Sequence, residues 1–87
     1  MMDQIARSLA NVIIFLEHSP PEILDEDCSI QALEQLAEDL NALDRSSRSA
    51  LAASFRLIAP SYRGETRSFV EELPEALGLE ESREDEA

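Results

Sequence analysis

Asp25, Asp27 and Ser29 place three oxygen-bearing side chains at alternate positions, the way a calcium loop begins. The pattern fails where a cation would need it most. Its sixth position is Ile30, where the sharp turn requires glycine, and its twelfth is Leu36, where a bidentate glutamate should close the shell. Acids clustered before an apolar-periodic stretch are instead suited to capping a helix and meeting the positive end of its dipole. His18 is the sole histidine. Transition metals want His and Cys in clusters, and a general base wants a positioned partner, so its position suggests a cation at a helix C-terminus. Cys28 is the sole cysteine, and its neighbours Asp25, Glu26 and Asp27 supply none of the positive charge that activates a thiolate. It reads as a small buried or half-buried apolar residue in a chain suited to a reducing cytosol. Gly64 and Gly78 stand apart, so no glycine-rich loop cradles phosphate, and no serine sits in a nucleophile elbow. These residues assign no catalytic group, no cofactor and no metal. A non-enzymatic protein is expected.

Charge is the stronger signal. The 87 residues carry a formal charge of -12, where solubility asks for a magnitude of roughly 2–8 in a small domain. From Glu17 to Asp44 there are carboxylates and no Lys or Arg. Arg45, Arg48, Arg56, Arg63 and Arg67 then follow against Glu65 alone, and from Glu71 onward Arg83 is the lone cation among carboxylates. A field of this sign repels nucleic acid and anionic membrane and accelerates encounters with basic proteins. Arg45, Arg48 and Arg56 are expected to pair with carboxylates of neighbouring helices rather than to form a nucleic-acid patch.

Within the acidic segment, Glu34 and Glu38 stand four apart on one predicted helix, with Asp39 beside them. Like charges at this spacing destabilise a helix by roughly 0.2–0.5 kcal/mol, and acids near its C-terminus oppose the dipole. Two explanations remain open: a solvated face that prevents aggregation, or a face kept acidic to meet a basic partner. On the second, Glu34, Glu38 and Asp39, with the Asp25–Asp27 corner, form the contact surface.

Helical periodicity supplies the elements that position these groups. A first helix from about Asp3 to Glu17 carries the stripe Met2, Ile5, Leu9, Val12 and Leu16, widened by Ala6 and Ile13. Ile14 and Phe15 point away from that stripe, which marks them as apolar anchors for a partner or for a second copy. Pro20 and Pro21 end the helix. A second helix, capped by Asp25 or Asp27, runs to about Leu43 on Ile30, Leu33, Leu36, Ala37, Leu40 and Leu43. Asp44 caps a third, from about Arg45 to Ala59, with Ala50, Leu51, Phe55 and Ile58 inward and Pro60 as its stop. So short a connection at Asp44 predicts antiparallel packing of the second and third helices. A shorter fourth helix runs from about Glu65 to Leu73, followed by a last turn with Gly78 after the helix end and Leu79 folding back. No segment reads as a strand, and the apolar run Val12–Leu16 is far short of the ~20 residues of a membrane span. The expected fold is all-α: a small antiparallel bundle of three main helices and a short fourth over residues 1–79, with residues 80–87 as a disordered acidic tail. No signal peptide is recognised, so a cytoplasmic location is expected.

The opening amphipathic helix ending in Ile13-Ile14-Phe15-Leu16-Glu17, the linker Pro20-Pro21-Glu22-Ile23-Leu24-Asp25, and Gln31-Ala32-Leu33-Glu34 entering an acidic helix together resemble small acidic helical immunity proteins. These accompany bacterial toxins of contact-dependent or type VI secretion systems. The resemblance covers residues 1–60 in layout and transfers no functional residue. It implies stoichiometric blocking of a basic toxin domain. The alternatives are a homodimeric structural or adaptor subunit, and an inhibitor whose spaced carboxylates imitate nucleic-acid phosphates.

Overall fold

The computed structural model describes residues 2–79. Among them the chain forms four α-helices and a 3₁₀ turn, with no strand: α1 Met2–His18, α2 Glu26–Asn41, α3 Arg45–Ile58, the 3₁₀ turn Ala59–Ser61, and α4 Gly64–Ala76. The expected tail, 80–87, lies outside the described residues.

The helix ends follow from local chemistry. Asp3 in the first turn and His18 in the last turn of α1 complement its dipole. Ser19 closes the helix, its backbone N–H donating to the Phe15 carbonyl at 3.1 Å, and Pro20 then forbids another turn. The Pro20 carbonyl accepts from the N–H groups of Ile23 and Leu24, so the linker is a hydrogen-bonded turn. Asp25, not Asp27, caps α2: its carboxylate accepts from the N–H of Asp27 at 3.1 Å and of Cys28 at 3.2 Å. Asp44 caps α3, accepting from the Ser47 N–H at 3.4 Å and the Ser47 hydroxyl at 2.6 Å. Those two bonds stabilise the ionised carboxylate and hold it below its ordinary pKa of 3.8.

α4 carries helical geometry past the expected Leu73 into the expected last turn. The helix continues through Pro74, whose ring is buried, to Ala76. Gly78 then takes a left-handed φ of +70°, the Leu79 N–H donates to the Pro74 carbonyl, and the Gly78 N–H donates to the Glu75 carbonyl. This is a complete Schellman cap, and buried Leu79 seals it. Proline is tolerated because the missing N–H costs one bond while the ring adds apolar area to the core.

α3 is the centre of the bundle, packing most extensively on α1 and next on α4, while α2 packs on α1. The short connection at Asp44 therefore does not make α2 and α3 the principal packed pair. The core gathers Ala6, Ala10 and Ile13 of α1, Leu51, Ala52, Phe55 and Ile58 of α3, and Val70, Leu73, Leu77 and Leu79 from the C-terminal region. Ala6, Ala10 and Ala52 are fully buried, and side chains this small let helix axes approach closely.

That close approach decides which face of α1 turns inward, and it corrects two expectations. The buried arc centres on Ala6, Ala10 and Ile13, roughly a quarter-turn from the leucine-rich stripe. Ile5 and Val12 are consequently exposed, whereas Ile14, expected to point away, is half-buried against the core. Cys28, expected to be at least half-buried, is exposed.

Candidate functional site

α2 is the only α-helix of the four without a fully buried residue. Leu33, Leu36, Ala37 and Leu40 rest half-buried on the core, Ser29 is half-buried against the end of α1, and the rest of the helix is open to solvent. Asp27, Gln31, Glu34 and Glu38 are all exposed, and their spacings of four, three and four align them along one side of the helix. Among the described residues no ion pair joins these carboxylates to a cation; the pair present is Arg67–Glu71 at 3.5 Å. The Asp25 corner is exposed as well, its carboxylate engaged in capping.

Asp39 does not belong to this line. It follows Glu38 by one residue, about 100° around the helix, and its carboxylate accepts from Gln35 Nε2 at 3.0 Å. Phe15 is 53% exposed but lies two residues from Glu17, and thus on roughly the opposite side of α1 from the α2 contact. The sequence-derived candidates therefore divide: Asp27, Glu34 and Glu38 share the outer face of α2, Asp25 sits at its N-terminal corner, Phe15 lies on the outer stripe of α1, and Ile14 is half-buried against the core.

A groove that the sequence did not reveal runs beside the acidic face. Ile13 of α1, Leu33 and Ala37 of α2, and Phe69, Leu73, Ala76 and Leu77 near α4 enclose about 240 Å³, with Glu17 and Glu34 among its walls. Its two ends are fixed differently. At one, the His18 ring meets Phe69 edge-on with centroids 5.2 Å apart, and Ser29 Oγ donates to the Leu16 carbonyl, tying α2 to α1. At the other, Asn41 Nδ2 donates to the carbonyls of Ala37 at 2.7 Å and Leu77 at 2.8 Å, clamping α2 to the α4 cap. Phe69 and Leu73 were legible as an apolar stripe, but their meeting with α2 depends on contacts such as Asn41–Leu77, 36 residues apart.

A smaller hollow of about 220 Å³ lies between the end of α1, the Pro21–Leu24 turn and the start of α2. On the other side of α1, Arg7 donates to Ser61 Oγ at 3.0 Å and lies 6.0 Å from the Tyr62 ring centre, while the Tyr62 hydroxyl donates to Asn11 at 2.7 Å. This polar seam fastens α1 to the turn before α4. Arg48, expected to pair with a neighbouring carboxylate, has its Nε buried without a hydrogen-bond partner.

Among the described residues no group of three or more His, Cys, Asp or Glu could hold a metal ion, and no helix is long and apolar enough to cross a membrane. The described surface carries a line of carboxylates beside an apolar groove. No family model, curated protein or solved structure matches this chain.

Proposed function

We propose that this chain is a cytoplasmic, non-enzymatic binding protein, an antiparallel bundle that neutralises a partner by covering a basic functional surface, as an immunity protein covers its toxin. The observation that carries the reading is the outer face of α2, where Asp27, Glu34 and Glu38 are exposed and unpaired among the described residues on a helix that contains no Lys or Arg. Unpaired like charges cost helix stability, and a partner that supplies the missing cations offsets that cost. Complementary charge speeds association and selects the partner, while apolar contacts slow dissociation.

The test is capture of the tagged protein from its own cells at low and high salt, repeated with Glu34→Arg/Glu38→Arg. One stoichiometric basic protein held by the wild type, released by salt and lost by the variant is the expected result. Identical recoveries with both forms would overturn the reading.

The outer stripe of α1 favours a second reading. Ile5, Val12 and Phe15 are each about half exposed, and from Met2 to Leu16 the helix carries only Asp3 and Arg7. This nearly neutral apolar surface is the place where two copies of a -12 chain could approach without strong repulsion. Sedimentation of a dimer at micromolar concentration that Phe15→Glu converts to a monomer would support a homodimeric adaptor. A wild-type monomer would remove that reading.

A further inference from the structure

We infer that the groove between α1, α2 and α4 receives a cationic amphipathic segment of a partner protein. Its apolar side chains would seat on Leu33, Ala37, Phe69 and Leu73, with flanking Lys or Arg meeting Glu17 and Glu34. The inference rests on the binding reading above and names the chemistry that reading leaves open.

Size, lining and charge each bear on the occupant. At about 240 Å³ the groove is smaller than the roughly 300–1,000 Å³ of small-molecule and cofactor sites. That volume fits one or two large apolar side chains, the scale of an anchor in helix-in-groove recognition. The floor is apolar, with Glu17 and Glu34 as its charged wall residues. An apolar ligand without charge would leave those carboxylates unmatched, and an acidic one would be repelled.

Charge also disfavours the occupants nearest to hand. The chain's own Glu80–Ala87 carries Glu80, Glu81, Glu84, Asp85 and Glu86 against Arg83, and a second copy brings a charge of -12. The first offers one cation among five carboxylates, and the second could present its basic segment, residues 45–67, only against the repulsion of its net charge. α2 is also the helix with no fully buried residue, so the groove wall it forms can adjust to a side chain at little cost to the core.

The experiment uses the full chain, isotopically labelled, titrated by NMR with a synthetic peptide of about 16 residues that repeats Leu at helical spacing among Lys. A second peptide replaces every Leu by Ala at the same charge. Shifts concentrated at Leu33, Ala37, Phe69 and Leu73 are expected, with at least about tenfold weaker binding of the alanine peptide. Ala76→Leu, at the exposed edge of the groove, should weaken the leucine peptide about tenfold. Glu17→Gln and Glu34→Gln, both at exposed positions that should leave the fold intact, should each weaken it about 2–5-fold.

Equal affinity for the two peptides, with shifts scattered over carboxylates and indifferent to Ala76→Leu, would overturn the groove while leaving the acidic-face reading standing. Failure of both peptides to bind at low salt would overturn both readings. Self-association abolished by Ala76→Leu would overturn the groove assignment in favour of a second copy.

Discussion

α3 and α2 are helices of similar length, 14 and 16 residues, with comparable apolar periodicity and opposite fates. α3 buries Leu51, Ala52, Ser54, Phe55 and Ile58 because α1 and α4 both pack on it. α2 has its principal contact with α1 and leaves even Leu33, Leu36 and Leu40 half-open. The leucines of α2 are no less hydrophobic than those of α3. What differs is the number of helices that cover them, since burial energy follows the area removed from water. The division has a functional side. A helix that contributes little to the core can carry unfavourable charge without threatening the fold, and α2 carries its carboxylates with no Lys or Arg, whereas α4 carries its own beside Arg67.

The largest expected effect lies in α3. Phe55→Ala removes a fully buried ring and should cost about 3–5 kcal/mol, whereas Leu36→Ala in α2 should cost clearly less, roughly 1–2 kcal/mol. Urea denaturation followed by circular dichroism checks both. Equal costs would break the contrast and make α2 part of the core.

Next is the clamp that fastens α2 to α4. Gly78 sits at φ +70°, and a Cβ placed there would lie 3.5 Å from the Asn41 side chain, an ordinary contact. The penalty for Gly78→Ala is therefore conformational, about 1–2 kcal/mol. Native-state hydrogen exchange should show protection falling at the ends of α2 and α4 before it falls in α3.

A smaller effect carries the opposite sign. Glu38→Lys turns a like-charge pair with Glu34 into a favourable one and places a cation near the C-terminus of α2, so stability should rise by about 0.5 kcal/mol. Partner binding should weaken in the same variant. A gain in stability with unchanged binding would mark the acidic face as a solvated surface.

The smallest concerns the cap of α3. The Asp44 carboxylate is held below its ordinary 3.8 by hydrogen bonds from Ser47. Its contribution to stability is therefore complete above that value and is lost as pH falls through the lower folded value. Denaturation midpoints between about pH 5 and pH 2 should show this acid-dependent loss in the wild type. Asp44→Asn, a cap that does not titrate, should reduce it.

Sequence and structure agree most closely where the chemistry is local. The cap at Asp44, a cap of α2 at Asp25 or Asp27, the end of α1 before Pro20 and the glycine after α4 were all legible, because each depends on residues within a few positions of one another. The last turn after Leu73 was legible, but not that it is α-helical through Pro74 to Ala76, because the buried site that accepts the proline ring comes from distant residues. Ile14 and Val12 exchanged roles for a related reason. The largest side chains define a stripe, yet the closest packing in α1 runs along Ala6 and Ala10, which hydrophobicity alone ranks low. Asp39 was grouped with Glu34 and Glu38 through proximity in sequence, although one residue on a helix turns a side chain by about 100°.

The sequence by itself determined an all-helical chain, the approximate extent of its helices, the acids that start two of them and the run of carboxylates on α2 without a Lys or Arg. Those properties arise from backbone hydrogen bonding, periodicity and composition within single segments. Tertiary structure alone decided which helix became the centre, which face of α1 was buried, and that an apolar groove opens beside the acidic line. Each of these depends on which distant surfaces meet, and the area they bury together is a property of the pair rather than of either segment.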